Sequence, residues 1–261
     1  MAKNKDSLGD RQKSYENCYR FMIPHKMYVV VRLDGRGFHS FTKGLDRPFD
    51  QGLMDDMDAT TKYLCESIPN CKVGYVQSDE ISLVLCDDAS NETQPWFDNN
   101  LQKICSVSAS MCTAKFNQLR LLRAMVTEGN DFRIEPLSEV SAMKLANFDS
   151  RVFILPNASE VLNYMKWRSD DATRNSISSV AQSLYSHKEL HGVSSKQQQE
   201  LIFKKGINWN DYSYREKRGG TLAKVEEEPG FFDDEDVMVR KHWQPIETPM
   251  NWFDERERIG L

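Results

Sequence analysis

Tyr28-Val29-Val30-Val31-Arg32-Leu33-Asp34-Gly35-Arg36 and Gln77-Ser78-Asp79-Glu80-Ile81-Ser82-Leu83-Val84-Leu85 decide how the rest of this chain reads. In each stretch an acid sits at the end of a β-branched run, and such runs bounded by turn residues read as short buried strands. Strand ends are where a fold can set distant carboxylates around a hard, oxygen-seeking cation. Asp34 and Asp79 are 45 positions apart; brought together without a cation they would repel and raise a pKa. The pair points to a magnesium site for phosphoryl or nucleotidyl transfer. Turn chemistry is the competing reading of each piece alone, because Asp-Gly and Ser-Asp-Glu are also what tight turns use.

Outward from these two stretches the periods alternate. Asp50 can cap a helix carrying Leu53, Met54, Met57, Leu64, Cys65 and Ile68 on its apolar positions, stopped by Pro69-Asn70. Residues 71–77 and 81–86 form a hairpin with acids at its tip. Residues 96–122 return to helical spacing, and Arg151-Val152-Phe153-Ile154-Leu155, stopped by Pro156, supplies another strand. The order strand, helix, strand, strand, helix, strand predicts an α+β fold with a ferredoxin-type antiparallel sheet and helices on one face. In that sheet the end of the first strand lies beside the connection between the second and third, so Asp34 meets Asp79. Residues 1–156 make this core, and 157–261 a mainly helical, then irregular, C-terminal extension. The acidic run Glu226-Glu227-Glu228 reads as a solvated loop.

The 261 residues are 39% hydrophobic and 28% charged, which places the chain among globular proteins and outside the disordered and fibrous classes. No apolar stretch approaches membrane-spanning length, and no apolar signal region follows Met1, so no membrane role and a cytoplasmic location are expected. Six cysteines without a paired metal-binding spacing read as small hydrophobes in a reducing compartment. A formal net charge of −5 argues against indiscriminate nucleic-acid binding and leaves room for a local basic surface.

Magnesium prefers oxygen ligands and keeps waters while touching substrate phosphates. Asp34 and Asp79 are the ligands to expect, with the Gly35 carbonyl beside them and Glu80 as the next acid. Two ions about 4 Å apart could polarise an attacking hydroxyl and stabilise a leaving pyrophosphate. Arg32, Arg36, Lys43 and Arg47 surround the first acid and could hold phosphates. Ser78 and His39 fit near phosphate or sugar, and a buried, hydrogen-bonded histidine is the competing reading of His39. A second basic set, with Lys166, Arg168, Arg174, Lys196, Lys217 and Arg218, is interleaved with Trp167, Tyr185, Trp209, Tyr212 and Tyr214. It could follow an RNA backbone and stack an exposed end, or form aromatic core anchors with a polar rim.

These residues together resemble the tRNA-histidine guanylyltransferase family, including its template-dependent tRNA-repair branch. The resemblance spans roughly residues 12–225. It is carried by Arg32-Leu33-Asp34-Gly35-Arg36-Gly37-Phe38-His39, Gln77-Ser78-Asp79-Glu80, Arg47-Pro48-Phe49-Asp50, Tyr164-Met165-Lys166-Trp167-Arg168 and Lys217-Arg218-Gly219-Gly220-Thr221. It implies a polymerase-palm-like core and 3′-to-5′ addition of nucleotides to the tRNA 5′ end. It also implies two magnesium ions on Asp34, Gly35 and Asp79, with Glu80 as a neighbouring active-site acid. Gly35, Arg36, Gly37, Phe38 and His39 match the triphosphate-holding loop, while Ser78 and Arg47 fall in matching active-site segments. ATP would activate a 5′-monophosphorylated RNA, GTP or another NTP would be added, and a homotetramer would share one tRNA between subunits.

Dedicated members carry a His-Ile-Asn-Asn motif after the tryptophan-containing helix, where this chain has Thr173-Arg174-Asn175-Ser176. The departure resembles the guanylyltransferase-like branch and implies Watson-Crick-templated repair of truncated 5′ ends, with Arg174, Asn175 and Lys196 as substrate contacts. The other readings are a dedicated tRNA-histidine guanylyltransferase, a palm-domain nucleotide cyclase and a non-catalytic RNA-binding protein.

Overall fold

The computed structural model describes residues 7–125, 144–226 and 241–261. Helix α1 (Ser7–Asn17) precedes strand β1 (Tyr28–Gly35), which runs into the single turn of α2 (Phe38–Phe41) and then α3 (Gln51–Ser67). The hairpin β2 (Cys71–Gln77) and β3 (Glu80–Leu85) leads to α4 (Leu101–Met125) and β4 (Phe148–Leu155). The extension begins with the long α5 (Ala158–Leu184), followed by α6 (His187–Leu190), α7 (Ser195–Lys204) and α8 (Tyr214–Arg218). Strands β5 (Gly220–Glu226) and β6 (Lys241–Ile246) return to the sheet.

The sheet order is β4-β1-β3-β2-β5-β6 with every neighbouring pair antiparallel. Its first four strands have the ferredoxin-like connectivity. Strand alternation divides the β1 side chains between two layers. Val29, Val31 and Leu33 pack with Met57 and Leu64 of α3 and with Ile104, Cys112 and Phe116 of α4. On the opposite face Val30 and Val84 pack with Val161, Leu162 and Met165 of α5. The core helices thus cover one face, and the extension covers the other.

Local chemistry explains the helix ends. The Asp50 carboxylate accepts from the Leu53 amide at 2.7 Å, capping α3. At the far end Ile68 leaves the helix in extended conformation, which the following Pro69 imposes. Asn157 caps α5 by accepting from Glu160 N–H. Asp56, buried on α3, accepts from Arg120 and Arg123 of α4 and clamps the two helices together.

Three local expectations change. The region after Gly206, read as irregular, supplies β5 and β6. Cys18 is exposed, whereas Cys65, Cys71, Cys86 and Cys112 are buried as expected. Glu227 and Glu228 of the acidic run lie outside the described residues, and Glu226 ends β5, 2.9 Å from Lys241. Among the described residues no helix is long and apolar enough to cross a membrane.

Candidate active site

The β1–β3 register makes Asp34 and Glu80 direct cross-strand partners, and the Gly35 amide donates to the Asp79 carbonyl at 3.1 Å. The end of the first strand is therefore fastened to the hairpin tip. A Cβ on Gly35 would sit 2.2 Å from Phe38 Cδ2, so the close approach of chain and ring requires glycine there. Ser78 takes a left-handed conformation at the tip, φ 47°, which turns the chain between β2 and β3.

The acids are electrostatically distinct. Burial pushes the Asp79 carboxyl upward, and the Asp34 charge pushes it further, against hydrogen bonds from its own backbone and the Ser78 hydroxyl. Glu80 is also raised by burial, opposed by Arg168 and Arg32. Its oxygens receive Arg168 Nε and Nη2, both at 2.7 Å, while Arg32 Nε stands 3.1 Å from Oε2. Glu80 is caged by cations beneath the site. Asp34 is partly exposed, with Arg151 Nη2 3.5 Å from its Oδ2.

A cavity of about 540 Å³ opens above these groups. Asp34, Ser78, Asp79, Glu80 and Arg168 form one end of its wall. Arg47, Phe49, Asp50 and Leu53 form a second side, and Asn175, Ser179 and Gln182 of α5 a third. From Arg168 to Gln182 the helix rises about 21 Å, at about 1.5 Å per residue, so the cleft can take an extended nucleotide.

Of the expected nucleotide loop, Arg47 lines this cavity; Arg36, Gly37, His39 and Lys43 are exposed and outside its lining. The Phe38 ring instead joins the core, within 5.0–5.7 Å of Phe41, Phe116 and Phe148. Of the expected RNA contacts, Arg168 is 6% exposed and paired to Glu80, so its guanidinium supports the site instead of facing an RNA backbone. Lys166 and Arg174 are exposed and tied to Asp170 and Asp171. Lys196 is exposed at the start of α7. Lys217 donates to the Asn210 carbonyl between the Trp209 and Tyr214 rings, and the Arg218 carbonyl accepts from Tyr75. Arg151 escaped sequence reading because only the β1–β4 register sets it opposite Arg32 and next to Asp34.

The donor set fits a hard divalent cation. Two carboxylates, one raised chiefly by its burial and further by the charge of the other, gain by sharing a positive charge, and the Gly35 carbonyl is adjacent in the chain. Among the described residues no cluster of three or more His, Cys, Asp or Glu side chains is arranged to hold a metal. Magnesium needs only one or two carboxylates when phosphates and waters complete its shell.

Comparison with known proteins follows the same lines. The family described as Thg1, tRNAHis guanylyltransferase, matches residues 9–156. The chain is similar to a bacterial tRNA(His) guanylyltransferase (Thg1)-like protein solved with ATP: 41% identity, 97% of this chain and 96% of that one, TM-score 0.78. For such a protein solved with GTP the values are 38%, 98%, 100% and 0.77. An uncharacterised protein of Acanthamoeba polyphaga mimivirus is 30% identical over 84% of this chain and 77% of its own. The tRNA(His) guanylyltransferase of Candida glabrata is 27% identical over 85% and 91%.

Proposed function

This chain belongs to the Thg1, or tRNAHis guanylyltransferase, family, and on that premise we propose that it transfers nucleotides to the 5′ end of tRNA, using ATP for activation and GTP or another NTP for addition. The observation that carries this is the meeting of Asp34 and Asp79 at one end of a cleft of nucleotide size, in a chain similar to proteins holding ATP and GTP. The relatives' names back guanosine addition of the tRNAHis type more directly than templated repair.

Asp34, Asp79 and the Gly35 carbonyl would hold magnesium, which supplies Lewis-acid activation of a hydroxyl and charge neutralisation on phosphates. The protein's own groups do the rest. Arg47 and Ser78 offer donors to phosphate oxygens along the cleft. The caged Glu80 fixes the β3 end, so that Asp34 and Asp79 keep their separation as substrate enters. The α5 wall excludes water from one side of the nucleotide.

A second reading, templated addition to several tRNAs, rests on Thr173. Its hydroxyl donates to the Ser169 carbonyl of its own helix at 2.9 Å, and the neighbouring Arg174 is held by Asp171. The position that carries histidine in dedicated members is therefore satisfied internally. A magnesium requirement, a homotetramer and a cytoplasmic location belong to the same proposal.

The test is to incubate the protein with magnesium, ATP, NTPs and 5′-truncated tRNAs whose opposing nucleotide is varied, then sequence the 5′ ends. Guanosine on tRNAHis alone supports the dedicated activity, and complementary addition on several tRNAs supports templating. No addition to either monophosphorylated or triphosphorylated ends rejects both.

A further inference from the structure

Five aromatics are interleaved with the C-terminal cations, and the structure separates them. Trp209 is buried, Tyr212 packs edge-on to Phe49, and the Tyr185 hydroxyl donates to the Leu201 carbonyl. Tyr214 carries the Lys217 ammonium. Trp167, on α5, is 51% exposed.

The placement of Trp167 is specific. The Arg168 guanidinium carbon lies 4.6 Å from its ring centroid, and the same guanidinium makes the two 2.7 Å bonds to Glu80, the cross-strand partner of Asp34. One buried side chain thus separates the indole from the acids. The guanidinium is attracted to the indole π system and helps fix the ring's orientation, and base–aromatic stacking tolerates any base. Tyr164 and Phe153 continue the aromatic row to β4, at centroid spacings of 5.9 and 5.6 Å, on the sheet face that also carries the exposed Arg151. Arg151 and Arg168 each face a carboxylate there, Asp34 and Glu80, so the open indole is the contact this face offers a base.

We propose that Trp167 is a stacking platform for a nucleobase at or next to the 5′ end of the RNA substrate, held in position by the Arg168–Glu80 pair. The inference rests on the tRNA-end reading above for the identity of the polymer. It adds a binding residue outside the nucleotide cleft. Stacking makes the contact indifferent to base identity, which suits an end whose terminal nucleotide changes with each addition.

Of the five tryptophans, Trp209, Trp243 and Trp252 are buried and Trp96 is partly so. Acrylamide quenching of the emission therefore reports chiefly on Trp167. Full-length protein is titrated, without ATP, with tRNA lacking its first nucleotide. The expected result is RNA-dependent protection from quenching that is absent in Trp167→Phe. RNA affinity should fall about 5- to 150-fold in Trp167→Ala, the equivalent of 1–3 kcal/mol of stacking, and be largely kept by Trp167→Phe. The KM for ATP and GTP should not move. Equal RNA affinity in Trp167→Ala and wild type overturns the proposal. So does protection that follows protein concentration alone with a sedimentation change in Trp167→Ala, because the ring would then face a second copy. Stacking without any nucleotide addition would reject the proposed function and keep this inference; no RNA binding by wild-type protein would reject both.

Discussion

Arg168 meets Glu80 in a two-point pair, Nε to Oε1 and Nη2 to Oε2, both at 2.7 Å, although 88 positions separate them in the chain. This forked bond joins the long helix of the extension to the strand end that carries the site. Glu80 is buried with Arg32 on its other side, so removing Arg168 takes away both hydrogen-bond donors and leaves a buried carboxylate beside one cation. Arg168→Ala is expected to lower stability by about 3–5 kcal/mol, as for other buried pairs that lose one member. Arg168→Lys should recover only part of it, because a point charge cannot reproduce the fork. Urea unfolding of both variants and of the Arg168→Ala/Glu80→Gln double variant measures the coupling; additive losses would show that the pair does not act as a unit.

Asp79 behaves in the opposite sense. Its folded carboxyl is raised above the ordinary 3.8, so the unfolded chain gives up this proton first as pH rises. Stability attributable to this group falls with rising pH from about 3.8 through its folded pKa and is highest below that window. Asp79→Asn should therefore melt higher than wild type at neutral pH, with the difference vanishing in acid. The same variant should lose nucleotide addition, as should Asp34→Ala. Magnesium should raise the melting temperature of wild type and leave Asp79→Asn unmoved; an equal response in both would remove Asp79 from the ligand set.

The α3–α4 clamp separates stability from chemistry. Asp56 is buried and receives Arg120 Nη1 at 3.0 Å and Arg123 Nη2 at 2.9 Å, and none of the three lines the cleft. Asp56→Ala is expected to cost about 1–3 kcal/mol, since the partly exposed Arg120 and Arg123 lose their hydrogen-bonded counter-charge and can turn to water. Activity per folded molecule should be unchanged. Thermal denaturation beside a kcat measurement checks both halves.

Gly219, between α8 and β5, has φ 83°, and a Cβ there would stand 2.6 Å from the Val76 carbonyl oxygen and 2.6 Å from the Tyr75 hydroxyl. Backbone cannot retreat as a flexible side chain can. Gly219→Ala should destabilise by about 1–3 kcal/mol through backbone strain, with the clash added to it. The bond from the Tyr75 hydroxyl to the Arg218 carbonyl, 2.6 Å, should weaken with it. A denaturation midpoint equal to wild type would show that β5 shifts freely on β2.

Much of the core was legible because its cues are local. Val29, Val31 and Leu33 alternate with Val30 and Arg32, Asp50 caps α3, and Pro69 ends it, all within a few residues. The acids were legible as a pair because each closes a strand run. β5 and β6 were not. Thr221-Leu222-Ala223 is buried without alternation, and Pro245 argues against a strand except at a sheet edge, where β6 in fact lies. Arg168 and Trp167 are neighbours in one helix, and nothing in their order tells which is buried and which exposed.

The sequence by itself determined the strand–helix order, the two carboxylate-bearing strand ends and the family pattern around them, since each is written in short-range periodicity and turn chemistry. Only the tertiary structure decided what each charge faces. It caged Glu80 with Arg32 and Arg168, set Arg151 against Asp34, drew the Phe38 ring into the core and left the Trp167 ring open. Those outcomes depend on sheet register and on the seating of α5 across the second face, where burial costs and Coulomb energy are settled between residues tens of positions apart.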